Sequence, residues 1–130
     1  MIQSVCRVFG FASLGLGMIG LFRNHVLGLH MTPAHGALHI VSGALALFFA
    51  YAAPQGTRGF AMTFGSVFLT LGVLGFLAPN LVARLIGHAT GLSAEALLVD
   101  NLIHLMIAGF LLGAGLAADE APARRGLRRA

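Results

Sequence analysis

A chain of 130 residues that is 58% apolar and 9% charged, with mean hydropathy +0.90, cannot clothe a folded globule in water-compatible surface. The composition excludes a soluble domain, and the length leaves room for one membrane-embedded bundle. The net charge of +4 does not point to nucleic acid: there is no lysine, and half of the arginines stand together as Arg124, Arg125, Arg128 and Arg129, a short basic tail suited to anionic lipid.

In chain order, Arg7 leads into the first apolar span, residues 4–22, which carries no cleavage site and reads as an uncleaved span. Cys6 is the only cysteine, so no internal disulfide forms, and a small buried residue near the helix start is expected there. Thr32 and Pro33 supply an N-cap and a first helical position for a second span, to about residue 53. Pro54-Gln55-Gly56 turns the chain into a third span, residues 59–78, closed by Pro79-Asn80. Ser93 as N-cap and Glu95 in the first turn open a fourth, which runs to about residue 118. Each span is roughly 19 to 25 residues, enough for a hydrocarbon core about 30 Å thick. The connections at 23–31 and 80–92 are mildly apolar; Leu81, Leu85 and Ile86 suit either a short interfacial helix or a loop tucked onto the bundle.

The spans are written twice. FGFASLGLGMIGLF at residues 9–22 recurs as FGSVFLTLGVLGFL at 64–77, with Phe9, Gly10, Leu14, Leu16, Gly17 and Gly20 meeting identical residues at Phe64, Gly65, Leu69, Leu71, Gly72 and Gly75. Each copy is followed by a polar break and an apolar helix with an early histidine, His39 or His104. The predicted fold is therefore all-α: four transmembrane helices in an up-down bundle of two parallel two-helix repeats, residues 1–56 and 57–118, with a basic tail at 119–130. Arg7, Arg58 and the tail fall on one side and only Arg23 and Arg84 on the other, which puts both termini in the cytoplasm.

Polar residues of the second and fourth spans fall on single stripes: His35, His39 and Ser42 on one, Asp100, Asn101 and His104 on the other. Polar groups in hydrocarbon are costly unless satisfied, so both stripes should face the interior. Three readings compete for them. In the first, Asn101 and His104 set helix register through hydrogen bonds of about 1 kcal/mol each, and no cofactor is expected. In the second, His35, His39, Asp100 and His104 hold zinc or copper. In the third, His39 and His104 are the axial ligands of haem b. A proton relay or a bound quinone remain beside these.

Gly15-Leu16-Gly17-Met18-Ile19-Gly20 matches a nucleotide-binding fingerprint only literally, because it lies inside a span rather than after a strand. Small residues four apart, Ser13 with Gly17 and Gly109 with Gly113, together with Gly72, are better read as helix-packing positions, within the bundle or against another subunit. No nucleophile–base pair is visible, so an enzyme is not expected. The expected role is a small accessory or scaffold subunit packed against a larger membrane complex; the alternative is a haem- or metal-binding membrane protein.

The Gly-rich span followed by Asp100-Asn101-Leu102-Ile103-His104-Leu105, with a weaker earlier copy, resembles the bacterial family called domain of unknown function 4383. The resemblance covers residues 9–116 and implies a four-span protein of the bacterial inner membrane. It singles out Asn101 and His104; in the first copy Gly36 stands where asparagine is expected, His39 is kept and His35 is added. The family brings no known activity.

Overall fold

The computed structural model describes the backbone of residues 1–26, 28–85 and 94–127, and the side chains of all of these except 94–96 and 119–127. Among the described residues it contains α1 Ile2–Gly20, β1 His25–Val26, β2 Leu29–His30, α2 Pro33–Tyr51, α3 Thr57–Leu77, α4 Pro79–Leu85 and α5 Ala94–Leu127. Four helices are long and apolar enough to cross a membrane, over Ile2–Gly20, Pro33–Tyr51, Pro54–Leu77 and Leu97–Ala118. The α2 start is the predicted one: the Thr32 hydroxyl accepts from the His35 backbone N–H at 3.1 Å, with Pro33 as the first helical residue. Pro54–Gly56 is a single 3-10 turn that runs straight into α3.

Three expectations change. The connection at 23–31 is not a plain loop but an antiparallel hairpin, with His25 opposite His30 and Val26 opposite Leu29. Gly28 takes φ 82° in its turn, a left-handed conformation that needs no Cβ, and the Met31 N–H closes the hairpin on the Asn24 carbonyl at 2.8 Å. Segment 79–85 is both a short helix and tucked in: Val82 and Ala83 are buried while Leu81 and Leu85 face out. Ile86 and Ser93 lie outside the described residues. The fourth helix, expected to end at about residue 118, continues as α5 to Leu127.

Packing follows the small residues. α1 lies chiefly on α2, and α3 chiefly on α5, so two helical hairpins meet along a thinner seam. In the first hairpin a Cβ on Gly17 would stand 2.6 Å from the Gly36 carbonyl oxygen and 2.8 Å from Ile40, and one on Gly10 would meet Leu47. In the second hairpin Gly72 meets Leu105 and the Asn101 carbonyl, and Gly65 meets Leu112. Met31 fills the space above Gly20, while the Asn101 side chain sits directly on Gly75. Ser13, Gly17 and Gly72 are thus buried at crossings within the bundle. Gly109 and Gly113 are exposed, with open space where a Cβ would project.

The seam between the hairpins is aromatic. Phe60 stacks on Phe64 at 4.5 Å, and Phe9 meets Phe68 edge-on at 5.7 Å, around the small buried residues Ala46, Ala61 and Ala108. Cys6 is fully buried beside them. At the same end of the bundle, Arg7 lies over the Tyr51 ring at 4.5 Å and the Arg58 Nε donates to the Gly115 carbonyl at 3.2 Å. The hairpin of β1 and β2 marks the opposite end.

Candidate metal centre

The centre starts at the α2 cap. Thr32 fixes His35 in the first turn, and His39 follows one turn later on the same face, so the two Nε2 atoms stand 3.2 Å apart. From the other hairpin, α5 brings in His104, whose ring lies 5.9 Å from that of His35 and stacks on Phe68 at 5.6 Å. The three histidines offer ligand atoms that all lie within 4.8 Å of one another, and each side chain is at least 95% enclosed by the fold.

Two serines bracket His39. The Ser13 hydroxyl from α1 donates to the His39 carbonyl at 2.9 Å, as does Ser42 at 3.1 Å, and the two hydroxyl oxygens lie 3.2 Å apart. Ser13 Oγ also lies 3.1 Å from His39 Nδ1. A Ser13 hydroxyl that gives its one proton to the carbonyl accepts from Nδ1, and in that arrangement the imidazole proton sits on Nδ1. The Nε2 lone pair of His39 then points into the cluster. A metal-ligating histidine is ordinarily prepared in this way, with its second nitrogen held by a neighbouring oxygen.

Asp100, expected as a fourth ligand, is not among the side chains that converge: the described cluster is His35, His39 and His104. Asp100 precedes His104 by one turn of α5, on the side toward the hairpin, and its short side chain stays there. Its carboxylate is buried nearer the hairpin, where the His30 backbone amide stands close enough to ease the charge without hydrogen-bonding geometry. Asn101 is buried too, but it packs on Gly75 of α3 rather than in the cluster.

Two apolar cavities flank the centre along the seam. One of about 230 Å³, between α2 and α3, is walled by all three histidines with Phe64 and Phe68, and is rimmed by the outward-facing Leu38, Val67 and Leu85. The other, about 650 Å³ between α1 and α5, runs past Phe9, Leu16, Ile103 and Phe110 and reaches Ser13 and His39.

Sequence reasoning missed three partners. Ser13 was read as a packing residue and Phe68 was not singled out, yet they occupy the same column of the duplicated segment and both lie against the cluster, on His39 and His104. Aligning the copies column by column would have paired them. The third is the His25–His30 pair, with ring centroids 4.6 Å apart across the strand register. Its signal was the near-palindrome His25-Val26-Leu27-Gly28-Leu29-His30. Burial first, and then His25 beside it, hold the His30 imidazole below the ordinary histidine value of 6.5. A base with a depressed folded value takes up protons less readily than the unfolded chain as pH falls through 6.5, so acid destabilises the hairpin. Hydrogen exchange at the Met31 amide should slow less between pH 7 and pH 5 than the base-catalysed intrinsic rate does, and His30→Gln should abolish that difference.

No family model, no curated protein and no solved structure matches this chain.

Proposed function

We propose that this protein is a non-catalytic membrane protein that binds one transition-metal ion, copper or zinc, through His35, His39 and His104. The observation that carries the reading is the convergence of three buried imidazoles from two hairpins. Two ligand nitrogens about 2.0–2.1 Å from one tetrahedral ion lie roughly 3.3 Å apart, close to the 3.2 Å between His35 and His39. Three imidazoles leave one tetrahedral position open, and the cavity at their side offers the space for it. A bare ion is favoured over haem because the His35 ring fills the region in front of His39 Nε2 where a porphyrin plane would have to lie. The test is elemental analysis of protein purified in mild detergent, with a visible spectrum of the same sample. One equivalent of copper or zinc per chain is expected; a Soret band, or chain free of metal after incubation with either ion, overturns the reading.

Glycines 109 and 113, facing outward beside the exposed Met106, Phe110 and Leu116, favour a second reading, that the chain is also a small subunit of a larger membrane complex. The two hairpins are read as parallel repeats. In support, Gly36, Ile40 and Leu47 of α2 answer at constant spacing to Asn101, Leu105 and Leu112 of α5 in meeting the paired glycines. We further infer a bacterial inner membrane with both termini cytoplasmic, a reading supported by the arginine imbalance and by the resemblance to the four-span family. Single cysteines introduced at Asn24 and Gln55 in a Cys6→Ala background test this: impermeant thiol reagent should label the first from outside and leave the second untouched. The reverse pattern overturns the orientation.

A further inference from the structure

The three-histidine centre is enclosed, so an ion must cross apolar surroundings to reach it. The hairpin end of the bundle carries the other titratable side chains that matter. The turn of the hairpin lies on the start of α5, where Val99 is the neighbour of Gly28, and Asp100 is the next residue. Asp100 is only 3% exposed, and among the described residues its oxygens make no hydrogen bond, the His30 backbone amide standing near them without bonding geometry. A carboxylate so enclosed is expensive to keep unless a cation visits it. Above it, His25 and His30 face each other across the hairpin, with His25 exposed. Below it by one turn of the same helix face is His104, a member of the cluster.

We propose that Asp100, beneath the His25–His30 hairpin, is a transit site for a divalent transition-metal cation on its way to the histidine cluster. The inference rests on the metal-binding reading above and adds the route. In this arrangement the imidazoles of the hairpin meet the hydrated ion at the aqueous end. The Asp100 carboxylate offsets the loss of its water shell, and the ion passes to His104 and its two partners. Nitrogen and carboxylate ligands suit such an ion, and any proton the carboxyl carries leaves to water as the cation binds. A charge in a low-dielectric approach raises the arrival rate of its counter-ion by about tenfold or more, without altering the final ligand set.

The experiment is stopped-flow loading of the full-length, chelator-stripped protein with Co²⁺, whose visible bands report coordination by nitrogen. Asp100→Asn is expected to slow loading by about tenfold while keeping the parent's end-point spectrum and one-to-one stoichiometry. Asp100→Glu should recover most of the rate, and His25→Gln, at an exposed position outside the spans, should slow loading with the same unchanged end point. Parental loading rates in Asp100→Asn overturn the transit site and leave the histidine centre standing. An altered end-point spectrum in Asp100→Asn also overturns it, by making Asp100 a resident ligand. If Asp100→Asn does not fold, a parental rate in His25→Gln overturns the inference. A parent chain that binds no Co²⁺ fails the metal reading itself and this inference with it.

Discussion

Replacing His104 by leucine is expected to weaken metal binding at least a hundredfold or so while leaving the bundle folded. The expectation joins two magnitudes. Changing a group that merely supports a metal ligand typically loses about 10- to 100-fold in affinity, so removing one of three ligands loses at least that much. The contribution of a polar contact between membrane helices to folding is only about 1 kcal/mol, and leucine retains most of the volume lying against Phe68. Competition with a chelator of known affinity measures the first quantity, and thermal unfolding of the metal-free protein the second. Ser13→Ala should fall between parent and His104→Leu, about tenfold weaker than parent, since it frees the His39 imidazole to rotate and to change tautomer. Equal affinity in all three proteins would show that the histidines serve helix register alone. Collapse of the fold in His104→Leu would show that the cluster stabilises the bundle far more than single hydrogen bonds do.

Gly17→Leu and Gly113→Leu are expected to behave oppositely although both put leucine into an apolar helix. At Gly17 the first added carbon would stand 2.6 Å from a backbone carbonyl of α2, which cannot rotate away as a side chain can. The α1–α2 crossing must open, at a cost of about 3 kcal/mol or more, and Ser13, one turn back on the same face, shifts away from His39. Stability and metal affinity should therefore fall together. At Gly113 nothing lies within 4 Å of the added carbon, so the isolated chain should change by no more than about 0.5 kcal/mol. The readout for Gly113→Leu is instead co-purification from native membranes under gentle detergent. Loss of a partner that travels with the parent chain supports the subunit reading, and recovery of both proteins alone counts against it.

The spans were legible because each is a local property. A run of about 20 apolar residues predicts a crossing wherever the chain goes next, and Thr32-Pro33 or Pro54-Gln55-Gly56 mark boundaries by their own backbone chemistry. The histidine stripe was legible for the same reason, since a four-residue spacing alone puts His35 and His39 on one face. The hairpin at 25–30 was not, because its strands are two residues each and owe their pairing to the close of α1, the Gly28 turn and the burial of Leu29 and Met31. Likewise, no local property distinguishes Gly17, pressed on Gly36, from Gly113, which faces open space.

The amino-acid sequence by itself determined a membrane bundle of four apolar helices, the small residues available for close crossings, and two polar stripes that hydrocarbon drives inward. Only the tertiary structure decided which members of those stripes meet. His35, His39 and His104 converge and Asp100 does not, because depth depends on how far one hairpin slides and turns against the other. That offset is set by glycine crossings within each hairpin and by the phenylalanine seam between them, contacts between residues far apart in the chain that no spacing within one helix encodes.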